Sequence, residues 1–197
     1  MFHCLPLQIF FMKEQYIFGY GSLVNRDTHN YQAHPARMSG WRRVWRHTDV
    51  RPVAYLTAEP DAACAIDGVI MRAPHGDPAL EQREHAYDRQ DVTAQVSHDR
   101  NAPTEIHVYA IPDGKHRPAS EKHPILLSYI DAVVQGYHRE FGPQGVQHFF
   151  ETTEGWDAPI LNDRAKPSYP RHQKLNRSEL EMTDNWLHRL SANIVKA

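Results

Sequence analysis

Cysteine is scarce in this 197-residue chain: only Cys4 and Cys64 occur. Two isolated thiols make neither a disulfide framework nor a zinc-ligand spacing, which suits a reducing cytoplasm. An excess of charge of one sign is also lacking. The formal net charge is −2 with histidine neutral, so there is no basic field of the kind nucleic-acid binders use. Long hydrophobic runs are missing too. The apolar leader, residues 1–11, is too short to span a bilayer, and it has neither a cationic region before it nor a small-x-small cleavage site after it. It reads as neither a membrane span nor a secretory signal. We expect it to be an extension or a mis-assigned start, with Met12 an equally good first residue and a single domain over 12–197. Fourteen histidines scatter from His3 to His188 without a His-Glu-x-x-His motif or a clustered ligand set. No metal is therefore expected, and neither a nucleic acid nor a membrane is expected as partner.

What is present is ordinary for a globular protein: 41% hydrophobic and 23% charged residues. Short strand-like stretches, bounded by Pro, Gly and Asp, fall at 16–18, 37–48, 53–58, 64–72, 92–96 and 104–111. Their spacing predicts an antiparallel meander or barrel. Trp41 and Trp45 read as core anchors within the second of them. A helix is predicted from Asp77-Pro78 to Tyr87, with Asp as N-cap and Pro at the first helical position. A longer amphipathic helix is predicted over 124–141 and stopped by Gly142-Pro143, with a short one behind it over 144–150. Ser178-Glu179-Leu180-Glu181 reads as a capping box that opens a last helix carrying Leu180, Trp186, Leu187, Leu190 and Ile194. Residues 24–35 and 151–171 read as irregular. A loop as long as the second is usually functional. Asn162-Asp163-Arg164 and Tyr169-Pro170-Arg171 are candidates to read a substrate's carboxylates, unless Trp156 and Tyr169 merely strap the loop down.

Two stretches carry chemistry. Tyr16-Ile17-Phe18 is an apolar strand that opens into Gly19-Tyr20-Gly21-Ser22-Leu23. Glycines at a strand end let the backbone take φ > 0 or let another group come very close. The turn is either a cradle of main-chain donors for an anion or carbonyl, or a plain corner of the sheet. Val24 stands where a dinucleotide fingerprint needs its third glycine. The second stretch is the helix after Asp77. Leu80, Glu84 and Tyr87 share one face there, so Glu84 should point inward, while Glu81, Gln82, His85 and Asp88 point away. Burial of a carboxyl raises its pKa toward the range useful for proton transfer. The competing expectation is an ion pair with Arg83 or Arg89.

Phe18-Gly19-Tyr20-Gly21-Ser22-Leu23 near the N-terminus resembles the signature of the γ-glutamylcyclotransferase-like family, which includes ChaC-type and AIG2-like proteins. Leu80-Glu81-Gln82-Arg83-Glu84, followed by Tyr87, resembles the setting of that family's catalytic glutamate. The resemblance runs from residue 16 to about 111. It implies an α+β fold: a small mixed, mostly antiparallel β-barrel with flanking helices. It also implies a metal-independent reaction without cofactor. The α-amine of a γ-glutamyl group attacks its own γ-carbonyl and releases 5-oxoproline and an amine or amino acid. Glu84 would be the general acid/base, and Tyr20, Gly21, Ser22 and Leu23 would bind the γ-glutamyl group. The partner is then a small γ-glutamyl molecule, in the cytoplasm. Two features depart from the glutathione-degrading members. Val24-Asn25-Arg26 stands where they carry a tryptophan, and Arg51-Pro52-Val53-Ala54 stands in place of an Arg-Gly element. Tyr87 also lies closer to Glu84 than the corresponding tyrosine of some members. Glutathione is therefore not the expected substrate. The alternative to an enzyme is a binding module that keeps the cradle without turnover. A hydrolase using the scattered histidines as metal ligands is the weaker rival.

Overall fold

The computed structural model describes residues 14–48, 52–73, 77–85, 87–101, 104–112 and 114–196. The expectations for residues 1–11, for Met12 and for Cys4 lie outside these. Cys64 is a free thiol.

The main sheet is built on β1 (Glu14–Gly19), β2 (Ala33–His47) and β3 (Ala54–Arg72), joined by β4 (Asp88–Asp91), β5 (Val96–His98) and β6 (Thr104–Ala110). Its order is β4-β6-β1-β3-β2-β5. β1 lies antiparallel to β3 and parallel to β6, with Phe18 opposite both Ile70 and Val108. A strand covered on both faces is apolar on both. This accounts for the unbroken Tyr16-Ile17-Phe18 run, each residue 1% exposed. Short strands β7 (Arg117–Pro118) and β9 (Thr153–Glu154) add to β2. The sheet curls into an open half-barrel, so the expected α+β, mostly antiparallel architecture is present with its edges unclosed among the described residues. A small parallel sheet, β11-β10-β8, comprises β8 (Ile125–Leu126), β10 (Ile160–Asn162) and β11 (Ile194–Lys196).

Several boundaries differ from expectation, each for a local reason. The stretches 53–58 and 64–72 are two halves of β3. Glu59-Pro60 does not end the strand, because the register with β2 shifts between Ser39 and Trp41 and the surplus residues 61–64 turn back on Asp61, whose carboxylate accepts from the Ala63 N–H at 3.0 Å. β2 begins at Ala33, before Pro35. β5 covers only Ala36 to Met38, so Pro35 sits where the strand has a free edge and its missing N–H costs nothing. Residues 93–95 form a 3-10 turn instead of continuing a strand over 92–96, with Asp91 accepting from the Thr93 N–H.

Three helices complete the fold: α1 (Pro78–Arg83), α2 (Leu127–Glu151) and α3 (Arg177–Arg189). α2 is interrupted at Gly142 (φ 69°, ψ −166°) before Pro143, so it is the two predicted helices in continuity. Its start lies at Leu127 because Ile125 and Leu126 pair with β10. The capping box of α3 is Asn176 with Glu179, two residues ahead of the expected one, since the Asn176 side-chain oxygen accepts from the Glu179 N–H at 3.0 Å. The same helix ends at Arg189, which leaves Ile194 in β11. Trp41 and Trp45 are buried, as expected of core anchors.

α2 docks on the chain just after β1 and so fixes the path of the segment that leaves the sheet. Two 3-10 turns, Ser22–Val24 and Arg26–Thr28, occupy the start of the segment expected to be irregular. Asn25 between them donates to the Ala132 carbonyl (2.8 Å) and to Gln135 Oε1 (2.9 Å). The close approach is permitted by Gly136, where a Cβ would lie 2.6 Å from the Asn25 nitrogen. Alanine at 136 would gain up to about 1 kcal/mol of helix propensity. The clash with main chain costs about 1–3 kcal/mol and outweighs it. Gly136→Ala is expected to lower the urea midpoint; a raised midpoint would show that the contact is not close-packed.

Candidate active site

Beyond Gly19 the backbone leaves the sheet and turns under α2. The two glycines here are needed for space rather than for φ, since neither has a positive φ. A Cβ on Gly19 would lie 2.6 Å from the Leu23 Cβ, and one on Gly21 would lie 2.6 Å from the Tyr129 hydroxyl. The Tyr20 carbonyl accepts from the Tyr137 hydroxyl at 2.8 Å. In a planar trans peptide the N–H points opposite to the carbonyl, so the Gly21 N–H faces away from Tyr137. Among the described residues no protein acceptor takes it. The Ser22 main chain lies beside the Tyr129 hydroxyl.

Glu84 arrives from the other side. Asp77 caps α1, accepting from the Leu80 N–H at 3.1 Å. The helix ends at Arg83, earlier than expected, but the Glu84 N–H still donates to the Leu80 carbonyl, so the helical phase carries through to Glu84. Leu80 is 2% exposed, and the Glu84 side chain beside it is 12% exposed. Arg83 Nε lies 3.3 Å from Glu84 Oε1, while Arg83 Nη2 donates to Ser22 Oγ at 2.9 Å. One guanidinium therefore ties the glutamate to the glycine turn. Both expectations for Glu84 hold together: it is inward-facing and ion-paired. Glu81 is exposed and accepts from the Tyr109 hydroxyl. His85, expected to point away, is exposed yet lines the same cleft.

That cleft, about 690 Å3 including its open mouth, is lined by the turn from Gly19 to Leu23, by Arg83 and Glu84, and by Tyr55, Tyr87, Tyr109 and Tyr129 among the aromatics. Burial first, and then the Glu84 charge, pushes the Tyr20 phenol well up. Burial does the same at Tyr87 and Tyr129, and at Tyr109, which rises to about 12; the Glu84 charge adds to the shift at all three. The phenols stay protonated at neutral pH and hold the cleft by donating hydrogen bonds: Tyr20 to the Tyr109 carbonyl (2.7 Å) and Tyr87 to the Leu56 carbonyl (3.1 Å).

The structure brings all five predicted residues, Tyr20, Gly21, Ser22, Leu23 and Glu84, into one cleft. Of the two loop candidates, Tyr169 and Arg171 line it. Asn162-Asp163-Arg164 does not: Arg164 pairs with Asp131 and Asp184, and Asp163 caps the start of α2. Sequence reasoning missed Tyr55, Tyr109, Tyr129 and the bridging role of Arg83. Tyr129 belongs to a helix whose apolar positions read only as core, so no local signal marks it. Among the described residues no group of three His, Cys, Asp or Glu side chains could hold a metal ion, and no helix is long and apolar enough to cross a membrane.

The half-barrel sheet, the glycine turn at the end of β1 and the cleft beside it define a γ-glutamylcyclotransferase-like protein. The family model described as ChaC-like protein matches residues 15–123, more than half of the chain, and the chain belongs to that family. Among solved structures it is similar to the uncharacterized protein loc79017 from Homo sapiens, at 14% identity and TM-score 0.54, over 86% of this chain and 97% of that one. It is also similar to a gamma-glutamyl cyclotransferase, at 13% identity and TM-score 0.53, over 86% and 98%. YkqA from Bacillus subtilis matches at 16% identity and TM-score 0.53, over 71% of this chain and 55% of that one. At such identities these likenesses establish the fold alone. No curated protein sequence matches the chain.

Proposed function

We propose that the protein is a γ-glutamylcyclotransferase-type enzyme. The α-amine of a bound γ-glutamyl group attacks its γ-carbonyl, forming the lactam C–N bond of 5-oxoproline and breaking the bond to the leaving amine. Ring closure is intramolecular, so holding the chain folded contributes much of the rate. Glu84 accepts the proton that the attacking amine loses and returns it to the departing nitrogen. The Gly21 N–H of the turn, unpartnered among the described residues, is the main-chain donor for the oxygen that gains charge.

The observation that carries this reading is the placement of the Glu84 carboxylate in the same cleft as that turn, with Arg83 touching both. The Arg83–Glu84 contact also favours a second reading, in which the glutamate is a structural partner and the cleft binds without turnover. The two readings part on one measurement. Purified protein would be incubated with γ-glutamyl amino acids, γ-glutamyl peptides, γ-glutamyl polyamines and ε-(γ-glutamyl)lysine, and 5-oxoproline followed by mass spectrometry. Release from at least one is expected. Binding of a γ-glutamyl compound with no release from any would select the module. The scarcity of cysteine supports a reducing cytoplasm as the compartment, with residues 12–197 as the domain that carries the activity.

A further inference from the structure

We propose that Asp163 is a positioning residue for the glycine turn: it ties Ser128 to Ser168 and so holds the adjoining Tyr129 and Tyr169 as one block against Gly21. The turn then presents the Gly21 N–H in a fixed direction, although Asp163 itself is outside the cleft and touches no reacting atom. The proposal rests on the cyclotransferase reading of that cleft.

Asp163 is 2% exposed. The cation next to it in the chain, Arg164, is taken up by Asp131 and Asp184. A buried carboxylate without a cation is costly, and it persists only where hydrogen bonds satisfy it. Here three do. Oδ1 accepts from the Ser128 N–H at 2.8 Å, and Oδ2 accepts from the Ser128 hydroxyl at 2.6 Å and the Ser168 N–H at 2.8 Å. The start of α2 adds its dipole, which favours an anion. Ser128 Oγ in turn accepts from the Tyr169 N–H at 3.4 Å. Every donor to Asp163 therefore belongs to a residue that immediately precedes a tyrosine of the cleft.

Those two tyrosines meet edge to face, with ring centroids 5.0 Å apart and planes at 84°. Trp45 also packs edge-on against Tyr129, at 5.7 Å and 79°. The Tyr129 hydroxyl fills the space that a side chain at position 21 would need, since a Cβ there would lie 2.6 Å from it. Contact thus runs from Asp163 through the two serines and the two rings to Gly21. A main-chain donor acts on developing charge only where it is aimed, and an error of about 1 Å costs about 10²-fold. Ser128, Asp163 and Ser168, like both tyrosines, lie beyond residue 123 and outside the segment matched by the family model. The support under the turn is therefore a property of this chain's C-terminal part.

The test follows kcat and KM for 5-oxoproline release from whichever of γ-glutamyl-alanine, γ-glutamyl-putrescine and ε-(γ-glutamyl)lysine the wild type uses fastest. In Asp163→Asn the amide NH2 must face a donor, so at least one of the three bonds is lost. The expected result is a fall of about tenfold in kcat with KM within about twofold, because the aim of the N–H matters most in the transition state. In a Tyr129→Phe background the same substitution should cost no more than about twofold, since the group it acts through is already gone. Losses that multiply independently would overturn the proposal. Asp131→Asn controls for destabilisation alone: Asp131 is 3% exposed on α2, accepts from Arg164 at 2.7 and 2.8 Å, and is outside this line of contacts. That variant should lower the melting temperature at least as much as Asp163→Asn, yet keep kcat within about twofold of the wild type. An equal loss of kcat in both variants would make the role of Asp163 merely structural and overturn the proposal. Should Asp163→Asn not fold, Ser128→Ala deletes the hydroxyl shared by Asp163 and Tyr169; a several-fold lower kcat is then expected, and an unchanged one overturns the positioning role. Release from none of the three compounds by the wild type overturns the cyclotransferase reading, and the positioning role with it. Release by the wild type with an unaffected Asp163→Asn overturns the positioning role alone.

Discussion

Glu84→Gln abolishes 5-oxoproline release and leaves the fold unchanged: this is the expected result with the largest effect on activity. The substitution keeps the shape of the side chain and an oxygen for Arg83 Nε, which lies 3.3 Å from Oε1. Neither the Leu80–Glu84 main-chain hydrogen bond nor the burial of Leu80 depends on the charge. What is lost is the proton acceptor and donor. General acid–base catalysis contributes about 10²–10⁴-fold, and here one group serves both proton transfers, so a loss of at least about 10³-fold in kcat is expected. The melting temperature should stay within about 2 °C of the wild type, as for a substitution that removes no packing. A Glu84→Gln variant that turns over at a rate close to the wild type would remove Glu84 from the mechanism.

The largest expected effect on stability is at Arg43. This arginine is fully buried in β2. Its Nη1 donates to the Tyr137 hydroxyl (2.8 Å) and the Asp67 carbonyl (3.0 Å), its Nε to Thr153 Oγ1 (3.1 Å), and its Nη2 to Thr152 Oγ1. The guanidinium sits over the Tyr137 and Phe149 rings, 5.1 Å from each centroid. Burial pulls its pKa down, against the opposing influence of Tyr137 and Asp67. It joins β2, β3, α2 and β9 in one network. Methionine fills much of the volume but leaves the acceptors unmet. Breaking such a buried set costs about 3–5 kcal/mol, or about 10 °C in melting temperature for a chain of this size. The network also reaches the site, because the Tyr137 hydroxyl that accepts from Arg43 lies against the Tyr20 carbonyl. Thermal melts of Arg43→Met read the effect directly. A midpoint equal to that of the wild type would show that the buried donors contribute nothing net.

The features legible in the sequence are local ones. An apolar run of three residues marks β1 as a buried strand, Asp77-Pro78 marks the start of α1, and Gly142-Pro143 marks the break in α2. The phase of Leu80 and Glu84 survives even though the helix ends early, because one more main-chain bond carries the turn through Glu84. Sequence and structure part where a distant partner settles the outcome. β3 continues through Pro60 because β2 lies beside it with a shifted register. Ile125 and Leu126 become a strand because β10 is there to receive them. Asp163, a candidate ligand of substrate by sequence, is taken up by Ser128, 35 residues away.

The site divides the same way. By itself the sequence determined the glycine turn after β1 and the inward phase of Glu84, since both depend on spacings of a few residues and on where side chains must be absent. Only the tertiary structure decided that these two stretches face one another. It placed β1 between β3 and β6, laid Gly136 of α2 on Asn25, and set the Arg83 guanidinium between Ser22 and Glu84. It likewise brought Tyr129, Tyr169 and Arg171 to the cleft from the far half of the chain. No short-range pattern encodes that convergence, because it arises from which surfaces pack together, and packing is a sum over contacts remote in sequence.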